Sequence, residues 1–346
     1  MARKFKTSDF NYELPQSSIA QFPAEPRDHC KLMVLDKKSG NLNHVKFFEI
    51  LKFLQEGDLL VFNDTKVFPA RLYGTDKKSL KPIEILLLTK IEDGLWTSLV
   101  KPGKRMRLGS KFVIGNQHNQ IHGVVEQVND SGSRIIRIDD DSLIYKLGEL
   151  PLPPYIKKSV GTSDNYQTVY AKHEGSVAAP TAGLHFTQSL LEQIKLKKIE
   201  TLFVTLHVGW DSFRPVKDEN LENHQMHSEY WELTDEAAIK IKNAKNEGRR
   251  VISVGTTALR LLENVADISG GYKNIKGGTG WADIFITPGY EFQIADGLVT
   301  NFHLPKSTLL MLTSALSSRD HILNAYQIAV ENDYKFYSFG DAMLII

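Results

Sequence analysis

Between about Lys66 and Leu150 the chain changes texture. "IEILLLT" (83–89), "LWTSLV" (95–100), "KFVIG" (111–115), "IHGVVEQV" (121–128) and "SRIIRID" (133–139) are short β-patterned runs separated by turn residues. Many short strands at regular spacing suggest a small barrel or sandwich. The flanking sequence reads differently. "TLFVTLHV" (201–208), "RVISVG" (250–255), "ADIFITPG" (282–289) and "GLVTNFHL" (297–304) read as strands. "DEAAIKIKNAKNEG" (235–248), "TTALRLLENVA" (256–266) and "KSTLLMLTSAL" (306–316) carry apolar residues at helical spacing. Such alternation predicts a mixed sheet covered by helices, an α/β fold. The buried-looking run "DLLVFN" (58–63) joins the same layer, and "LPLPP" (150–154) stiffens the exit from the β-rich part. The expected organisation is a discontinuous α/β domain, 1–64 and 151–346, carrying an inserted β-barrel domain over 65–150.

Composition narrows the setting. A single cysteine, Cys30, excludes an internal disulfide framework and suits a reducing cytoplasm. The first residues, Met1 to Tyr12, lack the apolar core of a signal peptide, and no apolar run approaches the ~18 residues of a spanning helix. The expectation is a cytoplasmic protein without membrane contact. Formal net charge is only +1. A polyanionic partner must therefore meet a local patch, and one exists. No acidic residue occurs from Gly94 to Val125, whereas Lys101, Lys104, Arg105, Arg107 and Lys111 cluster in "KPGKRMRLGSK". A basic turn on a small β-domain can grip a phosphate backbone; a solvated loop is the plainer reading.

Three further constellations carry chemistry. "VAAPTAGLHF" (177–186) is too broken by proline and glycine for a helix interior and too poor in β-branched residues for a strand. A backbone so bare can approach a ligand closely while delivering His185 and Phe186; a tight structural loop is the alternative. "VGTTALR" (254–260) places Thr256 and Thr257 where a helix opens after Gly255, with Arg260 one turn later. Free N–H groups there favour an anion, and arginine can add a bidentate grip. "FHLPKST" (302–308) repeats that arrangement with Ser307 and Thr308. The third is "NHQMHSE" (223–229), with His224, His227 and Glu229. Together with His185, His207 and His303 these suit acid–base work in one cleft. His-x-x-His is not a zincin pair and no cysteine cluster accompanies it, so no metal is expected.

Taken in order, several segments resemble a known family, the S-adenosylmethionine:tRNA ribosyltransferase-isomerases of queuosine biosynthesis. They include "GDLLVFNDTKVFPARLYG" (57–74), "LPLPPYI" (150–156), "YQTVYA" (166–171), "GSVAAPTAGLHFT" (175–187), "TLHVG" (205–209), "HQMHSE" (224–229), "RVISVGTTALRLLE" (250–263), "GWADIFITPGYEF" (280–292), "LVTNFHLPKSTLLML" (298–312) and "FGDAML" (339–344). The sequence departs from the family pattern at Asp211, Ser212, Ala282 and Thr287.

The resemblance implies transfer and isomerisation of the ribosyl moiety of S-adenosylmethionine onto 7-aminomethyl-7-deazaguanine in the wobble position of tRNA. The product would be epoxyqueuosine-tRNA, with adenine and methionine released. S-adenosylmethionine is then a co-substrate, no cofactor is bound, and the chain is expected to act as a monomer. On this reading His227 or Glu229 makes the first deprotonation, and His185 or His303 protonates adenine. Thr256, Thr257 and Arg260 hold the methionine carboxylate. Phe186 or Trp281 faces the sulfonium, and Asn301, Ser307 and Thr308 complete the substrate site. Lys101, Lys104, Arg105 and Arg107 contact tRNA. A metal-dependent hydrolase built on the His/Glu set and a non-catalytic RNA-binding protein are the competing readings.

Overall fold

The computed structural model describes residues 5–157, 163–209, 216 and 218–346. The chain forms two compact units, one of 1–65, 154–173 and 179–346, the other of 66–153 and 174–178.

The smaller unit is a closed antiparallel barrel of six strands in the order β10-β7-β6-β5-β8-β9. Its strands are β5 (Arg71–Asp76), β6 (Pro82–Glu92), β7 (Leu95–Lys101), β8 (Lys111–Asn116), β9 (Asn119–Val128) and β10 (Arg134–Ile138). Side chains alternate across a strand, so Ile83, Ile85 and Leu87 of β6 and Phe112 and Ile114 of β8 fill the interior. Closure removes the exposed edges that five or six loose hairpin strands would present. A short helix, α1 (Ile144–Leu147), follows the barrel.

The larger unit is built on a nine-stranded mixed sheet, β15-β13-β12-β3-β14-β16-β17-β1-β2. The early strands are β1 (Lys31–Leu35), β2 (Leu42–Lys46) and β3 (Leu59–Asn63). The later ones are β12 (Glu200–Leu206), β13 (Glu229–Leu233), β14 (Val251–Val254), β15 (Gly278–Ala282), β16 (Gly297–Asn301) and β17 (Ala342–Ile345). Two short strands, β4 (Thr65–Val67) and β11 (His173–Ser176), pair separately. Every residue of β3, β14, β16 and β17 is buried, the pattern of strands covered on both faces. The helices are α2 (Gln188–Leu196), α3 (Asp235–Asn246), α4 (Thr256–Ile268), α5 (Thr308–Leu316) and α6 (Arg319–Glu331). Thr187 caps α2, Thr234 caps α3 and Ser307 caps α5, each hydroxyl accepting a first-turn backbone N–H.

The sheet and the barrel are the α/β class with a small β-barrel that the sequence predicts. Two details differ. The run 282–289 is not a strand: β15 stops at Ala282, whose carbonyl accepts from Arg260 Nη2 at 3.3 Å instead of continuing a ladder. The helix expected from Lys306 begins at Thr308, because Lys306 sits at φ 59° and Ser307 takes the cap.

Candidate active site

Strands β12, β3, β14 and β16 run parallel to one another, so their carboxyl ends open on one edge of the sheet. Ligands of open α/β sheets bind in the crevice outside such ends. A pocket lies there. Gly255, Thr256, Thr257 and Arg260 supply one side, and Ala179–Ala182 another. Thr300, Asn301 and His303, with Val208 and Leu309, complete the wall.

Local backbone demands explain the residue types. Gly255 turns from β14 into α4 at φ 93°, a conformation that favours glycine. No side chain caps α4, so its first N–H groups and the positive end of its dipole remain directed at the pocket. The alanine-rich stretch forms a single 3-10 turn, Thr181–His185. Gly183 is required within it: a Cβ there would lie 2.0 Å from the Tyr170 hydroxyl. The bare sequence thus lets the turn pack tightly while its near edge borders the pocket.

Two hydrogen-bonded lines reach this pocket, one through Arg260 and the other through Asn301; His227, Glu229, His185 and Cys30 stand behind these two and do not line it. In the first, the buried Arg260 guanidinium donates through Nη1 to Glu229 Oε2 and through Nη2 to the Ala282 carbonyl. Glu229 Oε1 accepts from the Gly209 N–H at 3.1 Å and stands 3.5 Å from His227 Nε2. Glu229 is wholly enclosed, whereas the His227 side chain keeps about a fifth of its surface exposed. The carboxylate therefore serves to orient and polarise: its oxygens are engaged, and the imidazole beside it is the group with access. A partly accessible imidazole thus stands beside a buried carboxyl group.

The second line is Cys30–His185–Asn301. His185 Nδ1 lies 3.2 Å from Cys30 Sγ, and Nε2 lies 3.1 Å from Asn301 Nδ2. The Phe47 ring packs on the imidazole at 5.1 Å. Burial lowers the His185 pKa to about 4, with the Arg27 charge adding to the effect. His303 borders the pocket, with Nε2 held by Thr300 Oγ1 at 2.8 Å. Burial takes its pKa to about 3. Both rings are uncharged near neutrality and hold no spare proton. Neither ring therefore carries the extra proton expected of an acid toward adenine; His303 lines the pocket as a neutral hydrogen-bonding ring, and His185 reaches it only by way of Asn301.

Other expectations are relocated by packing. Phe186 is fully buried, edge-on to Phe47 and to Phe62 at 5.0 Å each, inside the core with Leu190 and Ile194. It belongs to the core and not to the wall of the pocket, because the 3-10 turn directs it under the sheet. Trp281 is 55% exposed on β15, edge-on to Tyr230, and does not line the pocket. Ser307 caps α5 and donates to the Leu304 carbonyl; Leu309, not Thr308, reaches the pocket. Arg260 is committed to Glu229 rather than open to a bidentate grip. In the barrel, Lys101, Lys104 and Arg107 are exposed, and Arg105 and Arg107 donate to the Pro82 and Lys104 carbonyls. Asp211 and Ser212 lie outside the described residues.

The structure adds residues that the sequence left unmarked: Thr181, Asn63, Thr300 and Cys30. A strand-terminal asparagine in "VFNDT" and in "VTNFH" is the sequence signal for the two buried amides, Asn63 and Asn301, that bond Thr257 and Thr181. Among the described residues, no three His, Cys, Asp or Glu side chains meet at metal-ligand geometry.

Comparison with known proteins now bears on this site. The profile of the family described as "Queuosine biosynthesis protein" matches residues 7–345. The chain belongs to this family. Within the queuosine biosynthesis family, it is 51% identical over 345 residues to the S-adenosylmethionine:tRNA ribosyltransferase-isomerase of Halothermothrix orenii, covering 99% of this chain and 100% of the relative. It is 52% identical, with the same coverage, to that of Thermoanaerobacter sp.. A crystal structure of S-adenosylmethionine tRNA ribosyltransferase from Thermotoga maritima matches with a TM-score of 0.58 at 38% identity, covering 98% of this chain and 100% of that one.

Proposed function

We propose that the pocket carries out the reaction named for these relatives: the chain is an S-adenosylmethionine:tRNA ribosyltransferase-isomerase of queuosine biosynthesis. It transfers and isomerises the ribosyl moiety of S-adenosylmethionine onto 7-aminomethyl-7-deazaguanine in tRNA, releasing adenine and methionine. The observation that carries the assignment of roles is the junction of the His227–Glu229–Arg260 line with the opening of α4 at one pocket.

The sulfonium acidifies the C5′ hydrogens of the co-substrate, so the reaction begins with a base and needs no nucleophilic side chain. His227 takes that proton, and Glu229 holds its ring and stabilises the imidazolium that results. Arg260 pairs with Glu229 and supplies the buried carboxyl group with a counter-charge. The free N–H groups of α4, with Thr256 and Thr257, receive the methionine carboxylate. His303 presents an uncharged hydrogen-bonding ring suited to the purine and ribose, and Asn301 orients the Thr181 hydroxyl at the pocket. The cations of the barrel turn, exposed Lys101, Lys104 and Arg107 and half-buried Arg105, contact the tRNA backbone. Base splaying from the anticodon loop is the expected mode of recognition. S-adenosylmethionine serves as co-substrate, no cofactor is bound, and the chain works as a monomer in the cytoplasm. No helix among the described residues is long and apolar enough to cross a membrane.

The test incubates the purified protein with S-adenosylmethionine and tRNA bearing the aminomethyl base, measuring adenine and methionine release. Release in equal amounts, dependent on the modified tRNA, is the expected result. H227A that retains its fold and full kcat would remove His227 from the role of base.

A further inference from the structure

Two buried asparagines, Asn63 at the end of β3 and Asn301 at the end of β16, flank the strand that leads into α4. Each is almost wholly enclosed, and each is locked by backbone groups whose donor or acceptor character is not negotiable.

At Asn301, Nδ2 donates to the Tyr337 carbonyl at 2.9 Å. A carbonyl only accepts, so this atom is the amide nitrogen and Oδ1 is an acceptor. The second N–H of Nδ2 then points to His185 Nε2, which must present its lone pair. The proton of the neutral imidazole therefore sits on Nδ1, facing Cys30 Sγ. Oδ1 receives the Thr181 hydroxyl at 3.0 Å. With its hydrogen committed to Asn301, the Thr181 hydroxyl offers the pocket only lone pairs.

Asn63 imposes the reverse. Its Oδ1 accepts from the backbone N–H groups of Thr65 at 3.2 Å and Leu206 at 3.0 Å, and its Nδ2 donates to the Leu206 carbonyl at 2.9 Å. The remaining N–H of Nδ2 donates to Thr257 Oγ1 at 3.1 Å. The Thr257 hydroxyl thus accepts from the protein and keeps its hydrogen for the pocket, on the side where the α4 N–H groups also donate. Arg260, one turn into the same helix, lines this wall as well.

We propose that these two asparagines polarise the pocket into an acceptor side at Thr181 and a donor side at Thr257, forming a clamp for a zwitterion. The ligand group at Thr181 must donate and the group at Thr257 must accept. An α-ammonium and an α-carboxylate on one carbon satisfy both, which assigns the methionyl end of the co-substrate to this part of the pocket and makes His185 a positioning residue acting through Asn301. The inference rests on the functional reading above and extends it to substrate selectivity.

The experiment measures binding of three probes to the purified chain by calorimetry: S-adenosylmethionine, its decarboxylated analogue and its deaminated analogue. T181V should weaken S-adenosylmethionine about tenfold or more while leaving the deaminated analogue within twofold of its affinity for the unsubstituted chain. T257V should weaken S-adenosylmethionine similarly and leave the decarboxylated analogue within twofold. T181S, which restores the hydroxyl, should recover most of the loss. Equal weakening of both analogues by either valine variant overturns the polarity assignment, as does an unchanged affinity for S-adenosylmethionine. An unsubstituted chain that binds S-adenosylmethionine but releases no adenine with modified tRNA overturns the functional reading and leaves the clamp standing. One that binds none of the three probes overturns both.

Discussion

Replacing Glu229 by Gln removes one charge from a pair that has almost no contact with water. The side chains of Arg260 and Glu229 retain 4% and 0% of their exposure, so the guanidinium left behind by E229Q keeps a buried charge with no counter-ion. Removing one partner of a buried pair costs about 3–5 kcal/mol, whereas replacing both by groups of similar volume is often neutral or better. In a domain of 150–250 residues each kcal/mol moves the melting temperature by about 2–4 °C. E229Q should therefore lower the melting temperature by at least about 6 °C, and R260M, which strands the carboxylate, should do the same. The double variant E229Q/R260M should recover most of that loss, giving a coupling of about 2 kcal/mol or more in the cycle. Turnover should stay lost in the double variant, because His227 has no anion to orient it and the pocket lacks its cation. Calorimetric melting of the four proteins, with adenine release measured on each, reads both quantities. The reasoning is refuted by a shift below about 2 °C for E229Q, or by a double variant no more stable than the worse single one.

Acid should destabilise the larger unit early. His185 and His303 have folded pKa values of about 4 and about 3 against an ordinary 6.5. The unfolded chain therefore binds their protons first, and stability falls as pH drops from about 6.5 toward 4, by about 3 kcal/mol for each ring. Urea midpoints measured across that window should fall steadily, and H185N should flatten the slope; a flat profile in the unsubstituted chain would falsify the assignment of buried neutral rings. F186A should cost about 3–5 kcal/mol, since it empties a fully enclosed site between two aromatic rings. A melting temperature within 1–2 °C (about 0.5 kcal/mol) of the parent would place Phe186 at a surface instead. Replacing Lys104, Arg105 and Arg107 with Ala should weaken tRNA binding and reduce the slope of log K against log salt by about 0.7–0.9 for each lost phosphate contact. An unchanged slope would mark the turn as merely solvated.

Regular periodicity made much of the architecture legible. Strand β3 reads from the continuous apolar run "DLLVFN", buried on both faces, and helix α4 from the apolar-rich run "TTALRLLENVA" after its glycine turn, although the fold buries that helix almost all round instead of on one stripe. The misread run 282–289 shows where that signal fails. Its apolar residues resemble a strand, yet the Ala282 carbonyl is claimed by an arginine from α4, 22 positions away in the chain. Phe186 was misassigned for a related reason: adjacency to His185 says nothing about which way a 3-10 turn points its next side chain.

Residue order alone determined the α/β class, the β-rich insertion, the glycine turn into α4 and the family, since each is written in local pattern or in an ordered set of short motifs. Only the tertiary structure decided which imidazole has access and which are shut away uncharged, that Arg260 answers Glu229, and which way each threonine hydroxyl points. Those properties depend on donors, acceptors and desolvation supplied by residues more than a hundred positions apart, such as Asn301 with His185 or Asn63 with Thr257. A hydrogen bond's direction is set by what surrounds both of its ends, and that surrounding exists only after the sheet has closed.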